Sequence, residues 1–408
     1  MNESGLSPVS STESLGSRLQ AGIYFQSQDA PEPSYRLLLL DVKADTNAGE
    51  ARAAIASLWA MLNELRIRDL APDVRPDPPS SDPPPRSEGK LTCLIGFGAR
   101  LFDRYPAMPR PEELRRLDDK PFRKIRWMVE EDRQPGEADI ALQFIGRTEL
   151  AVNRAVVEAW MLIAEQSLPL EIVTFHAGFN REDRRSWIGF HDGISNIESS
   201  QRAAVITVAS QEPAWMEGGT YMAFLRVAID LERWRRLPRE HQELIVGRDK
   251  ITGDPITGLS TTRASGCPMW GDHRFERNQI NPRIPPALEP VLRASHMYRA
   301  NPNRDGDGRG NIRDEDNRIF RQGYEFAEPL QGGRLRVGMN FVSFQRNLSR
   351  LTDMLMLDGW LGNVNFGGFS DQRKDSPPPI TLLQLVAGGF YAVPPREGSD
   401  SFPGGIIF

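Results

Sequence analysis

The sequence predicts an α+β protein built from two ferredoxin-like halves with antiparallel sheets, and three observations lead there. Its 408 residues suffice for two domains, or for one domain made of two similar halves. Residues 34–176 read as strand, helix, strand, a long connection, then strand, helix and strand, which is the split β-α-β order of a ferredoxin-like unit. From Thr220 the chain begins again in the same way, with a strand and then a helix.

Each element has its own signal. Ser34–Lys43 contains Leu37-Leu38-Leu39-Leu40, an apolar run too short for a membrane and suited to a buried strand. Ile55, Leu58, Trp59, Leu62 and Leu65 then recur at three- and four-residue spacing, the stripe of an amphipathic helix. Ala71–Lys90, with Pro83-Pro84-Pro85, reads as a loop or extended linker. Leu91–Gly98 is the second strand. Asp139–Gly146 is the third, alternating through Ile140, Leu142 and Phe144, which predicts one buried face and one wetter face. Val156, Trp160 and Ile163 mark the next helix, and Glu171–His176 the fourth strand.

In the second half, Thr220–Ile229 reads as a strand and Leu231–Leu237 as the start of a helix. A region rich in Gly, Pro and Asn follows from Gly247 to about Arg321. A structureless stretch of that length inside a compact domain needs a reason, and wrapping a cofactor is one. Met339–Phe344 is another strand, Leu348–Leu357 another helix, and Gly388–Pro395 a last strand ended by prolines. The expected division is an N-terminal extension over 1–33, partly disordered, a first half over 34–180 and a second over 181–408. The second half carries the irregular insertion 247–321 and the cofactor pocket.

Composition removes several function classes. Apolar residues make up 39%, enough for a sizeable core. A net charge of −5 offers no electrostatic footprint for nucleic acid. Two cysteines, Cys93 and Cys267, make neither a disulfide framework nor a Cys-based zinc site. Met1–Ser17 is polar and Ser-rich, without a basic stretch leading into an apolar one, and no uninterrupted apolar run is long enough to span a membrane. The expectation is a cytoplasmic protein that binds neither membrane nor nucleic acid.

The chemistry concentrates at Gly189-Phe190-His191-Asp192-Gly193, with His296 and Arg321 far downstream. A metal-ligand imidazole, an acid that can move protons and a fixed cation that can hold an anion are the parts of a peroxide-cleaving haem site. Each also has a plainer reading. Asp192 before a glycine could cap a following helix, and Arg321 could pair with an acid of Arg313-Asp314-Glu315-Asp316. His296 stands out among five histidines because it closes a helical-looking segment, Leu288–Ser295, shortly before Pro302. Asn303, Asp305, Asp307, Gly308 and Asp314 imitate the start of a calcium loop but lack the final bidentate Glu and flanking helices. Gly247–Gly253 resembles a phosphate loop in composition only.

Taken together, these segments resemble the dye-decolorising peroxidase family, from Leu19 to the end of the chain. Gly189–Gly193 matches its GxxDG signature, and Ile95-Gly96-Phe97-Gly98 with Leu101-Phe102-Asp103 its early strand-turn motif. Ser295–Pro302 is similar to the segment bearing the proximal histidine, and Arg318–Tyr324 to the one bearing the distal arginine. Phe341–Arg346 and Gly388–Pro395 fit its closing strands. The resemblance implies a dimeric α/β-barrel type of fold holding haem b, with His296 on the iron. Asp192 would be the distal proton shuttle and Arg321 the distal cation, with Arg318 the other candidate. Gly189, Phe190, His191, Gly193 and Ile194 would lie against the cofactor. It further implies hydrogen peroxide and an organic donor, a dye or phenolic, as reactants, with one-electron oxidations through a ferryl intermediate, and it leaves room for a homo-oligomer. A haem-handling protein with little turnover is the alternative. Asn347 stands where a carboxylate partner of His296 is looked for. An aspartate, with a reference pKa of about 3.9, stays a competent base in acid, so the expected optimum lies below neutrality. Bulky donors would be oxidised through a surface Trp or Tyr, for which Trp187, Trp215 and Tyr324 are candidates.

Overall fold

The computed structural model describes residues 18–23, 31–68, 89–119, 133–194, 196–208, 213–253, 295–300, 318–355, 382–396 and 401–408. Strand β1 (Ser34–Val42) leads into helix α1 (Ala48–Arg68). A reciprocal cap starts that helix: Glu50 N–H donates to Asn47 Oδ1 at 2.9 Å, and Asn47 N–H donates to Glu50 Oε2 at 3.2 Å. Strand β2 (Thr92–Gly98) runs into the short helices α2 (Ala99–Arg104) and α3 (Glu112–Asp119). Strand β3 (Ile140–Gly146) is followed by helix α4 (Glu149–Glu165), which Thr148 caps by accepting from Ala151 N–H at 3.2 Å. Strand β4 (Leu170–Phe179) completes the half. All pairings are antiparallel, in the order β4-β1-β3-β2.

The second half repeats the plan. After helix α5 (Ser199–Ile206) come strand β5 (Thr220–Ile229), helices α6 (Leu231–Arg236) and α7 (Arg239–Val246), and the short helix α8 (His296–Ala300). Strands β6 (Phe320–Pro329) and β7 (Leu335–Gln345), helix α9 (Ser349–Leu355) and strand β8 (Leu383–Val393) follow. The order β8-β5-β7-β6 is that of the first half with each strand replaced by its counterpart. The two sheets join where Phe97 faces Ala392 and where Phe179 faces Glu325, closing an eight-stranded barrel.

Closure explains the strand sequences. Leu38 and Leu40 pack under the helices, while Tyr35, Leu37 and Leu39 fill the lumen, so the leucine run is buried on both faces. The alternation in β3 predicts a wetter face, yet Ala141, Gln143 and Ile145 are buried too, because that face looks into the lumen. Helix α4 also departs from expectation. It buries Val152, Ala155, Val156 and Ala159, and leaves Trp160 56% exposed. Small alanines let the helix lie close on the sheet, so the bulkiest residue of the expected stripe is turned outward. Strand β6 begins at Phe320, within the stretch expected to be irregular. Cys267, His273, the Asn303–Asp314 loop and the extension over 1–17 lie outside the described residues.

Candidate active site

Strand β6 sets the site through its two-residue period. Gln322 and Tyr324 point into the lumen, so Arg321, Gly323 and Glu325 share the outer face. The chain after β4 covers that face. Its turns need glycine at two positions, Gly189 at φ 88° and Gly193 at φ 80°, where a side chain would be strained. A bridge between Arg185 and His191 and a hydrogen bond from Asp192 N–H to Arg184 O (2.9 Å) fold the segment back on itself and present Asp192 to β6.

Gly323 receives it. A Cβ at that position would lie 2.2 Å from Asp192 Oδ2, so only the bare backbone admits the carboxylate there. Asn196 fixes the neighbouring residue: its Nδ2 donates to Arg321 O at 2.7 Å, and its Oδ1 accepts from Arg321 N–H at 3.0 Å. The Arg321 guanidinium donates to Ile194 O at 2.8 Å and feels the charge of Asp192. Burial, more than any neighbour, lowers the Arg321 pKa. Arg318 donates to Asn196 O at 3.3 Å, below the same loop.

His296 opens helix α8; of the helical-looking segment Leu288–Ser295, residues 288–294 lie outside the described residues. Its place depends on Gly247, the left-handed C-cap of α7 at φ 88°, where a Cβ would meet Ser295 Oγ at 2.7 Å. Burial first, and then the charges of Arg321 and Arg248, push the His296 pKa down to about 3. The imidazole is therefore neutral, the form that offers a lone pair to a metal. Protein surrounds His296 and Arg321, yet both keep some accessible surface.

Arg185 ties the two sides together. It donates to Gly189 O (2.7 Å), Lys250 O (2.6 Å), Ile251 O (2.9 Å) and His191 Nε2 (2.7 Å). The Asp192 loop is thus anchored to the residues that follow Gly247. The same bonds place the ring of His191 against Arg185. Phe190 is buried and meets Trp234 edge-on at 6.2 Å, and Ile194 is buried. At Gly193 no atom of the described residues comes within 4 Å of where a Cβ would be.

These features fit a haem. A neutral imidazole at residue 296 supplies an axial ligand of a common type. A cation and a carboxylate close enough to influence one another stand together at residues 321 and 192, and the backbone at 193 carries no side chain. Asn347 and Glu113 are engaged elsewhere. With its amide turned so that nitrogen faces the carboxylate, Asn347 donates to the Glu113 oxygens at 2.6 and 2.7 Å, and Glu113 accepts from Leu348 N–H at 2.7 Å, capping α9.

Comparison with known proteins shows the family and the fold. Residues 183–398 match the family described as Dyp-type peroxidase, C-terminal. This chain belongs to the DyP-type peroxidase family. It is a haem-dependent peroxidase by that membership, an oxidoreductase acting on peroxide. Deferrochelatase of Shigella flexneri serotype 5b is 26% identical over 365 residues, covering 83% of this chain and 78% of that protein. Two solved structures share the fold at 20% identity. A DyP-type peroxidase of Streptomyces coelicolor has a TM-score of 0.67 and covers 98% of each chain. The oxyferrous complex of DtpA from Streptomyces lividans has a TM-score of 0.68 and covers 97% of this chain and 99% of that one.

Sequence reasoning singled out Asp192, His296 and Arg321 and missed what seats them. Gly323, Gly247, Asn196 and Arg185 carry no chemistry of their own, and their signal is only steric or architectural. His176 is a core histidine stacked on Phe224 at 5.0 Å and donating to Pro135 O at 2.7 Å. Cys93 is buried, which pushes its thiol up to about 12. Tyr324, considered as a surface relay, is fully buried and stacks on Tyr35 at 4.4 Å. Among the described residues, no helix is long and apolar enough to cross a membrane.

Proposed function

We propose that His296 holds the haem iron, that Asp192 is the proton-moving acid–base group, and that Arg321 is the fixed cation beside it. The observation that carries this reading is the convergence of three residues distant in sequence: Asp192 sits over Gly323 two residues from Arg321, Arg321 feels the charge of Asp192, and His296 feels that of Arg321. Haem, when bound, supplies the iron at which the peroxide O–O bond is cleaved.

The protein's part is to move protons and hold charge. Asp192 accepts a proton from the inner peroxide oxygen and returns it to the outer oxygen, which leaves as water. Arg321 stabilises negative charge as it develops, from a position set by Asn196 before any reactant arrives. The electrostatic coupling to Asp192 supports Arg321 over Arg318 in this role. Gly189, Phe190, His191, Gly193 and Ile194 form the wall of the pocket in this reading, with Phe190 and His191 acting through packing and through Arg185. The pocket belongs to the half over 181–408.

Hydrogen peroxide and an organic donor are the proposed reactants, with the cytoplasm as the proposed location. Exposed Leu150, Val157 and Trp160 on α4 support a homo-oligomer. Reconstitution with haem, followed by peroxide-dependent dye oxidation, tests the reading. Wild type should turn over, Asp192→Asn should bind haem and turn over slowly, and unchanged turnover in Asp192→Asn would defeat it. The haem-handling alternative has the name of the deferrochelatase relatives in its favour. It predicts haem binding with slow turnover that substitution at Asp192 does not change.

A further inference from the structure

Glu325 is a buried carboxyl to which the proposed roles assign no task. It is 4% exposed and lies two residues beyond Gly323 on the same face of β6. The Asp192 carboxylate sits over Gly323, so Arg321 flanks it on one side along the strand and Glu325 on the other. One Glu325 oxygen, Oε2, accepts from Trp187 N–H at 2.9 Å. The other, Oε1, is buried with no hydrogen-bond partner among the described residues. An ionised carboxylate with one unsatisfied oxygen, next to a second carboxylate, is costly.

The surroundings offer little to offset that cost. The strand neighbours facing Glu325 are Met339 on β7 and Phe179 on β4, neither of which titrates. From the covering loop, Asp192 and Arg181 act on it, and Arg181 is engaged with Asp183 at 2.7 Å. On its own strand the charged neighbour on that face is Arg321, with Asp192 between them.

We propose that Glu325 is the second acid of this site, a carboxyl held neutral beside Asp192 so that the pair carries one negative charge instead of two. This rests on the assignment of Asp192 as the proton-moving group and adds a control over it. With Glu325 neutral, Asp192 can give up the proton it has taken. When Glu325 loses its proton, a second negative charge beside Asp192 makes that proton harder to release and opposes the negative charge that develops on the departing oxygen. Glu325 is a positioning residue in this scheme, acting through Asp192. Burial first, with Asp192 as a further contributor, pushes its pKa up to about 8, which puts the change just above neutrality.

Infrared difference spectroscopy on the full-length protein, with and without haem, reads the proton directly. A protonated-carboxyl band should be present at pH 7, fade with a midpoint near 8, and be absent in Glu325→Gln. In Asp192→Asn its midpoint should fall by about one unit or more. In haem-loaded protein, Glu325→Gln should lose the alkaline fall-off in turnover that wild type shows. The proposal is overturned if no band assignable to residue 325 exists at pH 7, or if its midpoint is unmoved in Asp192→Asn. Failure of the parent reading looks different: Asp192→Asn would then leave turnover unchanged while the band still shifts, which supports the pairing of the two acids and removes only the role of Asp192.

Discussion

Asp192 and Gly323 are interlocked: the carboxylate Oδ2 occupies space that a Cβ at residue 323 would approach to 2.2 Å. The closest atom belongs to a side chain held by a turn of fixed shape, so a methyl group at 323 would move Asp192 off its seat. Gly323→Ala should therefore keep haem absorbance and lower peroxide-dependent turnover by about 100-fold, the order expected for a misplaced catalytic group. Asp192→Asn should lose roughly 10²- to 10⁴-fold. Turnover of Gly323→Ala at the wild-type rate would show that the seat is not needed.

His296 is neutral, surrounded by protein, and set at the start of α8 by close packing of Ser295 on Gly247. His296→Ala should lose haem or hold it so loosely that Soret absorbance disappears on gel filtration, while Arg321→Ala should retain it. Gly247→Ala should resemble a weakened His296→Ala, because its Cβ would press on Ser295 Oγ from 2.7 Å and its backbone is left-handed. Full haem occupancy in His296→Ala would remove that residue as the ligand.

Much of this molecule was legible in its sequence, and the gaps have physical causes. In the first half the order of strands and helices shows in apolar period alone, because a ferredoxin-like half buries each strand against a helix layer, whereas strand β6 of the second half was not read. That the second strand face is also buried, as at Ala141 and Ile145, depends on the closure of two sheets into one barrel. Pairing of β4 with β6 is a long-range fact that no local pattern carries. Trp160 misled for a related reason: an apolar residue at helical spacing predicts a buried stripe, but close helix–sheet contact selected the alanines beside it. At the site, residues with reactive side chains were legible by type and spacing. Gly323, Gly247 and Asn196 were not, since their contribution is space and backbone geometry. Glu325 stands one residue beyond Arg318–Tyr324, the segment read for its arginine.

Arg185 joins the Asp192 loop to Lys250 and Ile251 through a fork that a lysine cannot reproduce. Arg185→Lys should destabilise the protein by about 1–3 kcal/mol through unsatisfied carbonyls and slow turnover about tenfold through a looser loop. Chemical denaturation and steady-state assays check the two effects separately. Wild-type stability in Arg185→Lys would show that the loop is held by its glycine turns alone.

His176 provides a test of the fold away from the site. Burial first, and the nearby Arg226 charge second, push its pKa from 6.5 down to about 4, while its ring donates to Pro135 O. Between those values the unfolded chain binds a proton that the folded chain refuses, so stability rises with pH across the window. The contribution is complete above 6.5 and is lost as pH falls toward 4. A shift of that size corresponds to about 3 kcal/mol. In haem-free protein, wild type should lose about that much more stability than His176→Gln when denaturant unfolding at pH 7 is compared with pH 4. Parallel stability curves for the two proteins over this range would mean that His176 takes up its proton in the folded state as readily as in the unfolded one, and that the lumen around Phe224 is open to water.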